Sequence, residues 1–85
     1  MPTLLRLNGF QFVIYPNDQE PPHVHIFRAG AELIIILGVD GDEPVIREVF
    51  SMRNRDIASA FAVTRENNDD FLARWEEVCR SSRKK

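Results

Sequence analysis

The chain has little cysteine, no long apolar run and little excess charge, and each shortage excludes a class of protein. Its single cysteine, Cys79, excludes an intramolecular disulfide scaffold and a cysteine-rich zinc site, which favours a reducing compartment. The longest apolar run, residues 33–37, is too short to cross a bilayer, and residues 1–6 lack the apolar core of a secretory signal. We therefore predict a cytoplasmic protein without a membrane partner.

Charge and motif content narrow the function classes further. The chain carries 11 basic and 13 acidic residues, a net charge of -2, which removes the simplest argument for nucleic-acid binding. A local patch that includes Arg28 and Arg47 remains a route to RNA phosphates, and scattered solvated arginines are the alternative. The sequence has no glycine-rich phosphate loop, Gly-x-Ser-x-Gly, Cys-x-x-Cys or His-Glu-x-x-His pattern, so the commonest nucleotide, hydrolase, redox and zinc-protease functions lack support.

The chain has the composition of one folded domain. Its 85 residues are 44% hydrophobic and 28% charged, and a domain of this size buries only about 60% of its unfolded surface. We predict a single domain over residues 1–80 and a mobile basic tail over residues 81–85.

Local patterns predict strands first and helices afterwards. Strand composition is found at residues 10–15, 23–27 and 32–37, and residues 45–50 form a fourth, shorter predicted strand. Residues 4–7 either extend the strand at residues 10–15 or precede it. Apolar residues at helical spacing then predict two helices, the first beginning near Ser51 or Asn54 and the second near Asn67 or Asn68. The predicted fold is α+β: a small antiparallel sheet of three to four strands followed by two C-terminal helices packed on one face.

A tight turn at Ala29-Gly30 fixes the register of the second and third predicted strands. It places Phe27 opposite Glu32 and His25 opposite Ile34. Side-chain alternation then predicts a core face of eight residues and a mixed second face. The core face comprises Phe10, Phe12, Ile14, Val24, Ile26, Leu33, Ile35 and Leu37, and the second face His23, His25, Phe27, Glu32, Ile34 and Ile36, with Gln11, Val13 and Tyr15 beside them.

His23 and His25 are the chemically distinctive residues. Their spacing on one strand puts both imidazoles on the same face, with Cβ atoms about 6.5–7 Å apart. They can hold a divalent metal with a carboxylate such as Asp18 or Glu32, or act as general base and acid without metal in phosphodiester cleavage. In the structural alternative one histidine bonds to Asp18 or a backbone carbonyl, and the other packs at the rim of the sheet.

The mixed second face indicates a partner. If Val13, Phe27, Ile34 and Ile36 are exposed in a monomer, they form a larger apolar patch than soluble monomers usually carry. We predict a homodimer or a protein partner on this face; the alternative is that the N-terminal segment or the tail covers it.

Residues 17–25, Asn-Asp-Gln-Glu-Pro-Pro-His-Val-His, together with Met1-Pro2-Thr3 and the helix through Trp75, resemble a family of small bacterial proteins. It is the domain of unknown function numbered 4160, and the resemblance covers nearly the whole chain. The family implies short cytoplasmic proteins suspected of forming toxin–antitoxin-like modules, with no established activity. Its pattern points to Asp18, Pro21, Pro22, His23 and His25. Many members have histidine where this chain has Gln19, so a three-histidine metal site is not expected.

The resemblance and the residues together imply two functional hypotheses. In the first, the chain is a toxin–antitoxin-type component, and as the toxin it is ribonuclease-like, with His23, His25 and Asp18 as catalytic residues. Tyr15, Glu32, Arg28 and Arg47 are then the predicted binding residues. In the second, the chain is a non-catalytic, antitoxin-like interaction module whose histidines are structural. No cofactor is predicted; a divalent metal remains open as an alternative, and if one is present His23, His25 and Asp18 would hold it.

Overall fold

The computed structural model describes the backbone of residues 3–15 and 20–83 and the side chains of residues 4–15 and 20–78. Five strands come first: β1 (Thr3–Leu7), β2 (Phe10–Val13), β3 (His23–Arg28), β4 (Ala31–Ile36) and β5 (Val45–Phe50). Two helices follow: α1 (Asn54–Glu66) and α2 (Asn68–Arg83). The strands form one antiparallel sheet in the order β1-β2-β3-β4-β5, so each strand pairs with its neighbours in the chain.

The sheet has five strands where we predicted three to four, because β1 is a separate strand. Asn8 and Gly9 have φ of 53° and 84°, and Leu7 pairs with Phe10. Positive φ at both central residues is typical of a two-residue hairpin turn whose twist matches that of the strands. Asn8-Gly9 therefore reverses the chain between β1 and β2, so residues 4–7 do not extend the next strand.

The predicted β3–β4 hairpin is confirmed. Ala29 and Gly30 both have positive φ, and the pairs Phe27–Glu32 and His25–Ile34 occur as predicted. A backbone hydrogen bond of 2.9 Å from Leu37 to the Pro22 carbonyl continues the pairing past the end of β4. The hairpin therefore fixes which side chains of β3 and β4 share a face.

The predicted core face is also confirmed. All eight of its residues are at most 5% exposed. Seven of them form one cluster with Met52, with Ala60 of α1 and with Phe71 of α2, while Ile14 forms a second, smaller cluster with Trp75. Apolar side chains from both helices thus complete the core that the sheet begins.

Both helices begin within the predicted positions, and α2 ends later than predicted. It runs to Arg83, three residues beyond the predicted domain end at residue 80. Lys84 and Lys85 lie outside the described residues, so the mobility of the tail stays a prediction. Among the helices that the structure describes, none combines the length and apolar character that crossing a membrane requires. The cytoplasmic location stays a prediction as well.

Candidate functional site

His23 opens β3 and is buried, with 5% of its surface exposed. Its Nδ1 donates a hydrogen bond of 2.8 Å to the carbonyl oxygen of Pro21. Its ring lies against the indole of Trp75 on α2, with 5.1 Å between the ring centres. This contact of Trp75 with His23 depends on how α2 docks, which no local pattern indicates.

His25 lies two residues further along β3 and is paired with a carboxylate. Its Nδ1 is 3.0 Å from Oε2 of Glu32, and the two side chains are 14% and 29% exposed. Glu32 is the diagonal neighbour of His25 across the β3–β4 pair, since it faces Phe27 in the register. The tight turn at Ala29-Gly30 fixes the register of β3 and β4, and this register places Glu32 close enough to bond to His25.

Three other rings surround the His25 imidazole. Tyr15 meets it edge-on at 4.8 Å between ring centres, Phe27 stacks nearly parallel at 6.4 Å, and His23 lies at 5.1 Å. Rings packed on several sides of the imidazole add to the hydrogen bond in holding its position. The structure thus brings Tyr15, His23, His25 and Glu32 together, as the sequence predicted.

The hydrogen bonds determine the tautomer of each neutral imidazole. A carbonyl oxygen and an ionised carboxylate only accept hydrogen bonds, so Nδ1 of both His23 and His25 carries the proton. The lone pair of each neutral ring is then on Nε2. A carboxylate that accepts a hydrogen bond from one ring nitrogen also fixes the orientation of the imidazole, as in histidines that bind metals or accept protons.

The metal hypothesis depends on a residue outside the described part of the chain. Asp18, the predicted third ligand and catalytic carboxylate, lies in residues 16–19, which the structure does not describe. Among the described side chains, residues 4–15 and 20–78, no group of three histidine, cysteine, aspartate or glutamate residues is arranged to hold a metal ion. A metal site built from His23, His25 and Asp18 stays a prediction.

The two predicted arginines do not join the His25 cluster. The guanidinium of Arg28 bonds to the Asn8 carbonyl, lies 3.5 Å from Asp56 and sits over the Phe10 ring. Arg47 is exposed on β5, with β4 between it and β3. For Arg28 the sequence already indicates this, because alternation puts Arg28 on the side of Ile26, opposite the histidines.

A shallow depression adjoins the cluster on the side of the hairpin turn. It has a volume of about 280 Å³, and its lining includes Gln11, Phe27, Arg28 and Glu32. Glu32 therefore lines this depression and also contacts the His25 imidazole through its carboxylate. A small polar group seated there would lie beside the histidine–carboxylate pair.

Comparison with known proteins identifies the family of the chain. No protein of curated function and no solved structure matches it. The family model described as Domain of unknown function (DUF4160) matches residues 9–76, which include β2 through most of α2 and every described residue of the site. The chain belongs to this family of domains of unknown function.

Proposed function

We propose that the chain is one component of a toxin–antitoxin-like module, and that as the toxin it cleaves RNA with His25 as the proton acceptor. The observation that carries the proposal is the His25–Glu32 pair, held at 3.0 Å in a partly exposed ring cluster. A carboxylate that fixes the tautomer and stabilises the imidazolium is a common arrangement for a general base.

The proposed reaction is an intramolecular transesterification that cleaves the RNA backbone. Nε2 of His25 takes the proton of a ribose 2′-hydroxyl, the 2′-oxygen bonds to the adjacent phosphorus, and the bond from phosphorus to the 5′-oxygen breaks. The departing oxygen takes a proton from solvent, which leaves a 2′,3′-cyclic phosphate and a 5′-hydroxyl. A positioned base contributes about 10²–10⁴-fold to such a step.

His23 has a different role in this proposal from the paired general base and acid that the sequence suggested for the two histidines. Its burial keeps it from a bulky substrate, whereas its ring contact with His25 and its bond to Pro21 hold it in place. We therefore assign His23 as a positioning residue for His25. Asp18 lies outside the described residues, and its catalytic role stays part of the sequence-based hypothesis.

The second candidate function is a non-catalytic, antitoxin-like interaction module. The favouring observation is again His23, whose buried ring and backbone hydrogen bond are typical of a structural histidine. On the same face Phe27, Ile34 and Ile36 are each partly exposed, which suits contact with a partner protein or with a second copy. Val13, which the sequence placed in the same patch, is fully buried, so the expectation of an exposed Val13 was wrong.

Induced expression in a bacterial host separates the two functions. We expect the wild type to arrest growth and to leave RNA fragments ending in 2′,3′-cyclic phosphate. His25→Ala should abolish both effects, and Glu32→Gln should weaken them, because the amide still accepts a hydrogen bond but lacks the charge. Glu43→Gln, at a carboxylate that is 71% exposed, is the matched control and should behave as the wild type does.

Stability measurements complete the test. His25→Ala should lower the free energy of unfolding by about 1–3 kcal/mol, since it removes a partly exposed hydrogen bond to a carboxylate and the ring contacts of the imidazole. His23→Ala should lower it by about 2–4 kcal/mol, because it removes a buried bond and leaves a cavity beside Trp75. Growth arrest by a folded His25→Ala variant would contradict the catalytic proposal. If the wild type does not arrest growth, the interaction module becomes the better explanation.

A further inference from the structure

The strand β5 forms an edge of the sheet and carries an unusual amount of exposed apolar surface. Four of its six side chains are large and apolar: Val45 is 57% exposed, Ile46 40%, Val49 43% and Phe50 44%. None of the four belongs to the core clusters of the described residues, so the helices leave β5 uncovered. Natural proteins usually shorten, charge or cover such an edge, because its backbone groups can pair with another strand.

The register of β5 on β4 assigns each of these side chains to a face. Val45 pairs with Ile36 and Phe50 with Glu32, which places both on the histidine side of the sheet. Ile46 pairs with Ile35 and Val49 with Leu33, which places both on the core side. The edge is therefore apolar on both faces at both of its ends.

An irregularity at Arg47 makes this pattern symmetric. Ile34 pairs with Glu48 and Ile35 with Ile46, so β5 has one extra residue at this point. In a regular strand Val45 and Phe50, five residues apart, would lie on opposite faces. The bulge puts them on the same face, and it likewise puts Ile46 and Val49 together. The pattern is therefore the same from either end of β5: an outer residue on the histidine side, then a residue on the core side, and then the two central charged residues.

We propose that β5 pairs antiparallel with β5 of a second copy of this chain, about a two-fold axis between Arg47 and Glu48. A two-fold axis perpendicular to a sheet keeps each face on its own side, so only a strand with a face-symmetric pattern pairs with itself in this register. Val45 then lies opposite Phe50 of the second copy, and Ile46 opposite Val49. Each sheet continues into the other.

The two central residues favour a second copy over an unrelated strand. In this register Arg47 lies opposite Glu48 of the second copy, and Glu48 opposite its Arg47. Both contacts bring opposite charges together, and cross-strand pairs of opposite charge contribute about 0.2–1 kcal/mol each. In the described part of the chain neither residue takes part in an ion pair of its own. The charges of Arg47 and Glu48, which would otherwise discourage pairing at this edge, therefore favour pairing with a second β5 strand.

Analytical ultracentrifugation of the purified full chain tests this pairing. We expect a wild-type dimer over a concentration series up to about 500 µM, since one strand pair is a small interface. Arg47→Glu and Glu48→Arg should each raise the dissociation constant at least about tenfold, because each places like charges in register twice. The double variant Arg47→Glu/Glu48→Arg should restore the dimer.

These variants distinguish a specific effect on β5 pairing from an effect of the net charge of the chain. The two single changes move the net charge of the chain in opposite directions, so a simple charge effect cannot weaken both. Arg55→Glu, at an exposed position on α1, is the control and should remain a dimer. Circular dichroism should show that every variant is folded. A monomeric wild type, a dimer unaffected by either single change, or a double variant that stays monomeric would each overturn the proposal. The outcome does not depend on growth arrest or RNA cleavage.

Discussion

Gly38, just after β4, has no room for a side chain. A Cβ at this position would lie 1.8 Å from the carbonyl oxygen of Asp42 and 2.6 Å from its carbonyl carbon. Both obstacles are backbone atoms, so the loop between β4 and β5 has to move. We expect Gly38→Ala to lower the free energy of unfolding by more than about 3 kcal/mol, as a severe overpacking change does.

Gly41 in the same loop is the matched control for Gly38. Its φ is 87°, and a Cβ there would meet no atom within 4 Å. Gly41→Ala should therefore cost only the strain of left-handed backbone, about 1–2 kcal/mol. Urea unfolding of the two variants compares them directly, and equal losses would show that backbone conformation, not the contact with Asp42, dominates.

The histidine pair shows what sequence reasoning reaches at the scale of single residues. Alternation and the hairpin turn predicted that His23, His25 and Glu32 share a face, and they do. The different burial of the two histidines could not be predicted, because it depends on Trp75 from a distant helix. Local periodicity contains no information on which strand end a helix covers.

At the scale of secondary structure elements, Asn68 connects α2 to the end of β4. Its Oδ1 accepts a bond of 2.9 Å from the Gly38 amide, and its Nδ2 donates one of 2.7 Å to the Gly38 carbonyl. Asn68→Ala removes both bonds at a partly buried position. We expect a loss of about 2–3 kcal/mol in the free energy of unfolding, since two backbone groups lose their partner.

Asn67, the single residue between the helices, provides the comparison. Its side chain donates one bond of 2.8 Å, to the Val63 carbonyl at the end of α1. Asn67→Ala should therefore cost about 1 kcal/mol, the usual contribution of one such bond. Chemical denaturation of both variants gives the difference. An Asn67→Ala variant that is the less stable of the two would contradict the importance of the bridge to Gly38.

The strands and hairpins were predictable to different degrees. The β3–β4 register followed from the length of the turn between two clear strands. The sequence left the β1–β2 hairpin open although Asn-Gly is the strongest turn dipeptide, because residues 4–7 were compatible both with an extension of the next strand and with a separate strand before it. The bulge at Arg47 has no sequence signature that distinguishes it from a regular strand.

At the scale of the whole molecule, the core consists of two clusters that unfold together if the domain is cooperative. Trp75, the only tryptophan, is 2% exposed in the smaller cluster, and the larger one joins the sheet to both helices. We expect tryptophan fluorescence and far-ultraviolet circular dichroism to give coincident unfolding curves. An earlier fluorescence transition would show that α2 detaches from His23 and Ile14 before the sheet melts.

Composition and alternation were enough to predict an α+β domain and the whole core face of its sheet. They could not predict that the helices leave β5 uncovered. Ile46 and Val49 have the spacing of core residues, and only the positions of α1 and α2 decide that they remain exposed. Tertiary contacts of this kind are absent from any local window of the sequence.

The order of the strands along the sheet also determines what a ribosome exposes. Every strand pairs with the one made just before it, so the sheet can assemble as the chain emerges. Both helices, which contribute Ala60 and Phe71 to the core cluster, are synthesised after all five strands. Before the helices are synthesised, the apolar face of the nascent sheet is uncovered, including Phe12, Ile26, Leu33 and Ile35. We expect chaperones to bind this protein mainly during that interval.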